Sequence, residues 1–119
     1  MELLTEEIIK AFQAHPLYSQ DEIEDPEVLV KYFNPAGAGT WYIIEASRRD
    51  EDWLMFGLCC ISEPEFGYVL LSQLQEIRIP TKIVIHDKGK IKFARGECMI
   101  ERDLYFHGTI SDAKKELGY

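Results

Sequence analysis

Four short runs of β-branched and aromatic residues constrain the fold of this chain more than any other feature. Beginning at Val28, they read VLVKYF, TWYIIEA, DWLMFGLCCI and FGYVLL, and they are separated by segments that contain Asn-Pro with glycines, Arg-Arg-Asp-Glu and Ser-Glu-Pro-Glu. Runs of this kind favour β-strands, and turn-forming residues between them favour antiparallel pairing of neighbours. The sequence therefore predicts a meander of four antiparallel strands.

The second run also indicates how the sheet is covered. If its side chains alternate strictly, two sets face opposite sides: Trp41, Ile43 and Glu45, against Tyr42, Ile44 and Ala46. Because both sets contain large apolar residues, this strand is expected to be buried on both faces.

Two short helices are predicted around the meander. Residues 6–14 follow Thr5, a favourable N-cap, and precede Pro16, which blocks extension of a helix. Ser72 and Gln75 have the spacing of a capping box, with Ser72 as the N-cap, which predicts a second helix that runs to about Ile77.

The C-terminal third predicts three more strands and a last helix. TKIVIH and KIKFAR flank Asp87-Lys88-Gly89-Lys90, which suits a tight hairpin with Gly89 at positive φ. IERDLYF predicts the last strand, and a helix is expected after Ser111 or Asp112, ending at Gly118. Residues 1–119 are therefore predicted to form a single α+β domain. It would contain a mostly antiparallel sheet of about five to seven strands, with short helices at the N-terminus, mid-chain and the C-terminus.

The net charge of −8 limits the classes of function. Proteins that coat DNA or RNA neutralise phosphates with clustered Lys and Arg, whereas the 13 cations of this chain are scattered among 21 acids. Direct binding of nucleic acid is therefore not expected. An acidic surface fits simple solubility, a basic protein partner, or mimicry of nucleic-acid charge.

Neither a membrane segment nor a disulfide or zinc framework is indicated. No apolar stretch reaches the roughly 20 residues that cross a bilayer, and the N-terminus is acidic. Cys59, Cys60 and Cys98 form an odd set without Cys-x-x-Cys spacing and without a suitably spaced histidine. We therefore expect a cytoplasmic protein with free thiols, no membrane contact and no cofactor.

The segment FNPAGAGTWYIIE, residues 33–45, raises the question of a phosphate-binding loop. A P-loop needs glycines followed by Lys and Ser or Thr at the start of a helix, but Gly37 and Gly39 lead into a strand that brings no Lys. A structural turn is therefore predicted. Asn34, both glycines and Trp41 remain candidate binding residues, and Trp41 lies either in the core or on a surface that meets a partner.

Two acidic segments supply further candidates. Glu63 and Glu65 lie at the predicted tip of a hairpin, which is either a solvated turn or part of a binding surface. Alternation along IERDLYFH places Glu101, Asp103 and His107 on one strand face, where they would suit a metal ion or acid–base catalysis. The alternative is a solvated face on which a neighbouring arginine pairs with one of the acids.

Three blocks of sequence resemble one known family. LVKYFNPAGAGTWYIIE, FGLCCISEPEFGYVLLSQLQEI and IERDLYF occur in this order across most of residues 29–106, and they resemble the small bacterial family catalogued as domain of unknown function 2958. The resemblance implies an accessory protein of a plasmid, integrative element or phage, and it supplies no catalytic residues. TKIVIHDKGKIKFARGECM departs from the family pattern, which usually has a shorter connection, and such an added hairpin would suit a partner-specific surface.

The favoured functional hypothesis is a small acidic, non-enzymatic protein of a mobile element. It would bind a host or mobile-element protein and inhibit, for example, a defence nuclease, as anti-restriction and anti-CRISPR proteins do. One alternative is a metal-dependent hydrolase or nuclease-like enzyme that uses Glu101, Asp103 and His107. Another is a structural subunit of a larger assembly, with a homo-oligomer as one form. The binding protein is favoured because no nucleophile, base and orienting group occur at a recognisable spacing.

Overall fold

The computed structural model describes residues 1–119, and its main body is a five-stranded antiparallel sheet. Its strands are β1 (Val30–Phe33), β2 (Thr40–Arg49), β3 (Asp52–Cys60), β4 (Pro64–Leu70) and, after a separate hairpin, β7 (Glu101–Arg102). Their spatial order is β4-β3-β2-β1-β7, so β4 and β7 are the edges. The hairpin consists of β5 (Ile79–Asp87) and β6 (Lys90–Cys98). The predicted meander and the α+β class are confirmed.

Three helices accompany the sheet: α1 (Glu6–Ala14), α2 (Leu71–Glu76) and α3 (Ile110–Glu116). The first has the predicted bounds, and the Thr5 hydroxyl accepts a hydrogen bond from the Ile8 N–H group. α3 begins earlier than predicted, because its N-cap is Thr109, whose N–H group donates to the Asp112 carboxylate at 2.9 Å. None of the helices is long and apolar enough to span a membrane.

The N-cap of α2 was predicted two residues too late, at Ser72. The N-cap is Leu70, and its N–H group donates to the side chain of Gln73 rather than of Gln75. The Ser72 hydroxyl and N–H groups donate instead to Asp52 at the start of β3. A carboxylate 20 residues away therefore caps this helix, which no local spacing can reveal.

Strand β2 is buried on both faces, as predicted. One face carries Trp41 and Ile43, which pack in a cluster with α1 and α2, and the other carries Tyr42 and Ile44, which pack against α3. The pairing with β3 shifts register between Ile43 and Glu45. Because of this bulge, Ala46 shares the cluster of Trp41 and Ile43, and the predicted grouping of Glu45 with those two residues is wrong.

Residue 57 on β3 must be glycine because the bulge brings the backbones close together. A Cβ atom at Gly57 would lie 1.9 Å from the carbonyl oxygen of Tyr42. The cross-strand partner of Gly57 is Gly67 on β4, where a Cβ atom would meet nothing within 4 Å. Only the first of these two glycines is therefore demanded by packing.

The acidic connection after α1 is fixed to the sheet by buried polar groups. The Gln20 side chain donates to the carbonyl oxygen of Ile44 at 2.6 Å and accepts from the N–H group of Glu27 at 2.9 Å. Gln20 itself is buried. The segment is thus irregular, as predicted, but it is held in place.

Residues 79–98, here called the arm, extend away from the body of the molecule. β5 and β6 pair only with each other, and residues 82–93 are all exposed. The radius of gyration is 16.6 Å, compared with about 14 Å for a compact chain of this length. The predicted tight turn is confirmed, with Lys88 at φ 48° and Gly89 at φ 77°.

The segment IERDLYF does not form the long strand that was predicted. Only Glu101 and Arg102 pair with β1. The Asp103 carboxylate then accepts hydrogen bonds from the N–H groups of Tyr105 and Phe106, at 2.8 and 2.9 Å. These bonds turn the chain out of the sheet, because they offer the backbone a local alternative to ladder pairing.

Candidate binding surfaces

The loop that joins β1 to β2 is a self-contained turn. The Asn34 side chain accepts from the N–H group of Ala36 at 2.8 Å and donates to the carbonyl oxygen of Ala38 at 3.1 Å. Gly39, at φ 131°, allows the reversal. Gly37 is exposed, whereas Trp41 is only 7% exposed and belongs to the core cluster. Trp41 therefore faces the interior of the protein, and the amide of Asn34 is engaged within the loop.

The residues of the metal hypothesis are not assembled into a ligand set. No group of three or more His, Cys, Asp and Glu side chains is arranged to hold a metal ion. Asp103 instead forms an ion pair with Lys31, at 3.2 Å. Burial acts to raise the pKa of Asp103, but hydrogen bonds from the Tyr105 N–H group and from Lys31 outweigh it and lower this pKa. Glu101 lies on β7 and His107 follows the turn, and neither residue joins this pair.

Lys31 is the centre of a polar cluster that fixes α3 to the sheet. Its ammonium group lies 2.9 Å from Glu116, which also accepts a hydrogen bond of 2.7 Å from the Tyr42 hydroxyl. The Lys31 ammonium group also lies 5.4 Å from the centroid of the Tyr42 ring. Burial, with the Glu116 contact, raises the pKa of Tyr42. The charged groups of this cluster find their partners within the protein, so the cluster serves to hold α3 against the sheet.

A shallow cleft between α2 and the β2–β3 turn contains Asp52, Ser72, Arg48 and Trp53. The Ser72 hydroxyl donates to Asp52, and this bond lowers the pKa of the Asp52 carboxyl group. The hydroxyl oxygen of Ser72 therefore faces a carboxylate that caps a helix, and no histidine lines the cleft to act as its base. Near the other end of β3, burial raises the pKa of Cys59 and keeps its thiol protonated. Neither side chain is activated as a nucleophile.

Aromatic side chains are exposed where α3 leaves the sheet uncovered, at β3 and β4. Phe56 packs against Phe66 and Tyr68, with ring centroids 5.9 and 4.9 Å apart. Tyr68 lies beside Tyr18 from the loop after α1, and this neighbour raises the pKa of Tyr68. We call Tyr18, Phe56, Phe66 and Tyr68 the aromatic face. Phe66, Tyr68 and Tyr18 are each about half exposed or more.

Acidic side chains border the aromatic face. Asp21 acts electrostatically to raise the pKa of Tyr68, and Glu63 lines a cleft of about 570 Å³ together with Phe66 and one cation, Lys114. Glu65 is exposed on β4, but its side chain lies on the opposite face of the sheet from Phe66, because side chains alternate along a strand. Because β4 is an edge strand, one side of its backbone lacks a partner strand. Of the two predicted acids, Glu63 therefore lies beside an open surface and Glu65 does not. The aromatic residues of that surface were not predicted.

The arm is a second exposed surface, and its charge is opposite to that of the body. Residues 79–98 contain five Lys and Arg but only two Asp and Glu, a net charge of +3. Since the whole chain carries −8, the remainder carries −11. The large apolar side chains that the arm exposes are Ile83, Val84, Ile85, Ile91 and Phe93. The arm is thus both basic and apolar.

Comparison with known proteins identifies a family. No curated protein and no solved structure matches the chain. A family model described as "Protein of unknown function (DUF2958)" matches residues 3–95, which include α1, the four-stranded meander and most of the arm. The match covers most of the chain and includes the first two of the three resembling blocks, whereas the third, IERDLYF, lies beyond residue 95. It also includes residues 81–95, most of the hairpin that was expected to depart from the family pattern. The protein therefore belongs to the DUF2958 family.

Proposed function

We propose that this protein is a non-enzymatic accessory protein that binds a basic protein partner through its aromatic face. The observation that carries the proposal is the exposure of Phe66 and Tyr68 on an edge strand, beside acidic side chains. Exposed aromatic clusters of this kind are typical of interaction sites. Of the two acids predicted from the sequence, Glu63 borders this surface, whereas alternation along β4 places Glu65 on the opposite face of the sheet.

The chemistry of the aromatic face selects an extended segment rich in Lys or Arg. The unpaired backbone of β4 can add a partner strand by main-chain hydrogen bonds. The faces of Phe66 and Tyr68 attract cations and pack against aliphatic side-chain stems. Asp21 and Glu63 supply the opposite charge at the border. Such electrostatic matching raises association rates and selects the partner.

A mobile genetic element is the proposed biological setting. This is what the family resemblance implies, and the acidic body suits a target that itself binds nucleic acid. A host defence nuclease is one such target, because its nucleic-acid-binding surface is basic. In this role the protein would occupy that surface and inhibit the nuclease, as anti-restriction and anti-CRISPR proteins do.

The test compares two tyrosines that differ in position. Tyr68 lies on the aromatic face, whereas Tyr105 is 89% exposed next to β7, at the opposite edge of the sheet. The wild-type protein is used to purify partners from host lysate at low ionic strength, and mass spectrometry identifies them. Each purified partner is then titrated against wild-type, Tyr68→Ser and Tyr105→Ser proteins. We expect a basic partner whose affinity falls as the salt concentration rises. Tyr68→Ser should lower this affinity at least tenfold, whereas Tyr105→Ser should not. Recovery of no specific partner, or equal effects of the two substitutions, would contradict the proposal.

A further inference from the structure

The arm has the properties of a ligand for the aromatic face of its own protein. It is a β-ribbon with net charge +3, while the body to which that face belongs carries −11. Cross-strand pairing places Lys82 beside Arg95 and, two residues further along the same side, Val84 beside Phe93. A cationic pair and an apolar pair therefore lie next to each other on one side of the arm, as a partner of the aromatic face requires.

The arm also exposes more apolar surface than an isolated hairpin tolerates. Phe93 is 70% exposed, and Ile83 and Ile85 on the other side of the ribbon are also exposed. A two-stranded hairpin without a packing surface is marginally stable in water. A covering surface is consequently needed, and the body of the same chain does not supply it, because β5 and β6 pair only with each other.

We infer that the arm of one copy docks on the aromatic face of a second copy, and that the exchange is reciprocal. Two copies related by a twofold axis would bury both arms and both faces in one closed dimer. Each nine-residue strand of the arm spans about 30 Å, which is sufficient to reach along a neighbouring edge strand. This inference rests on the proposed function, since it assigns a second occupant to the same face.

The composition of the arm favours a protein surface over nucleic acid as its target. Five large apolar side chains are exposed along the ribbon, and burying them requires an apolar counterpart such as Phe66 and Tyr68. Phosphate contacts would use the lysines but would leave Phe93 and the isoleucines in water. A dimer of this kind also has a regulatory consequence, because the face is closed to other partners until the copies separate.

The experiment is a complementation test on the full-length chain. An arm variant, Phe93→Ser, keeps an intact face, and a face variant, Tyr68→Ser, keeps an intact arm. Sedimentation equilibrium measures each alone and in an equimolar mixture, with Tyr105→Ser as the control and circular dichroism to confirm folding. We expect wild type and Tyr105→Ser to dimerise in a salt-dependent way, and each arm or face variant to dimerise at least tenfold more weakly. The mixture should associate more strongly than either variant alone, because one arm then meets one intact face.

Three results would overturn the inference. The first is a wild-type protein that stays monomeric, and the second is a mixture that associates no better than its components, as expected for arm-to-arm or face-to-face contact. The third is arm-dependent binding of a mixed-sequence DNA duplex by a monomer, shown by its loss with Lys82→Glu. If wild type is monomeric while Tyr68→Ser still weakens binding of the purified partner, only this inference fails. If the copies dimerise but the Phe93→Ser variant, whose aromatic face is open, recovers no partner at low salt, the proposed function fails instead.

Discussion

The carboxylate of Glu45 accepts a hydrogen bond of 2.8 Å from the backbone N–H group of Gln20. A second bond, of 2.9 Å, comes from the N–H group of Tyr18. Glu45 is 2% exposed and follows the register shift of β2, so the bulge turns its side chain toward the loop after α1. This carboxylate fixes the backbone of Tyr18 and therefore one border of the aromatic face.

Replacing Glu45 by Gln should destabilise the protein by about 2 kcal/mol, because an NH₂ group would then oppose one of two buried N–H donors. Urea denaturation measures the loss, and Glu51→Gln in the exposed β2–β3 turn is the matched control. Hydrogen exchange should also show faster exchange of the Tyr18 and Gln20 amides. Equal stability of the two variants would show that Glu45 has no structural role.

Local signals in the sequence were sufficient for much of the fold. The strands of the meander, the Thr5 cap and the turn at Lys88 and Gly89 depend on neighbouring residues, and each was predicted. The bulge before Glu45 and the cap that Asp52 gives to α2 depend on residues distant in the sequence, and each was missed. Local sequence is therefore enough to pair neighbouring strands, but it does not show a register shift within a pair or a contact between distant residues.

The candidate site was only partly predictable for the same reason. The exposure of Glu63 and Glu65 was predictable, because acids beside a turn are exposed by local rules. Phe66 and Tyr68 follow strand alternation and therefore share a face, but their exposure depends on how far α3 extends across the sheet. The sequence left open whether Trp41 is buried, because its place in the core depends on packing against α1 and α2.

The paired glycines of β3 and β4 should respond differently to substitution by alanine. At Gly57 a Cβ atom would lie 1.9 Å from the Tyr42 carbonyl oxygen, so Gly57→Ala should cost about 3 kcal/mol or more through backbone displacement. At Gly67 the space is open, and Gly67→Ala should change stability by less than about 1 kcal/mol. Thermal unfolding of both variants tests this difference, and similar losses would contradict the close approach at the bulge.

The ion pair of Lys31 and Asp103 should make stability depend on pH in the acid range. Because the folded-state pKa of Asp103 is lowered, its contribution is complete above the unfolded value of about 3.9 and is lost as pH falls through the folded value. Asp103→Asn should therefore be less stable than wild type by about 1 to 2 kcal/mol near neutral pH. The difference should shrink below about pH 4.

Urea denaturation at several pH values measures this dependence for wild type and Asp103→Asn. A double-mutant cycle with Lys31→Met separates the ion pair from the hydrogen bonds that Asp103 makes with the turn. A difference in stability that stays constant as the pH falls through the acid range would contradict the assignment.

Removing the exposed part of the arm should leave the body folded. The register pairs Thr81 with Gly96, so residues 82–95 can be replaced by an Asn-Gly turn that closes the shortened hairpin. Ile79 at its base, which packs against the core cluster, is retained. Compared with the Phe93→Ser variant, in which docking of the arm is already weakened, we expect the midpoint of thermal unfolding to change by less than about 4 °C, the shift that roughly 1 kcal/mol produces in a domain of this size. A much larger decrease would show that the arm stabilises its own body and is not an independent interaction element.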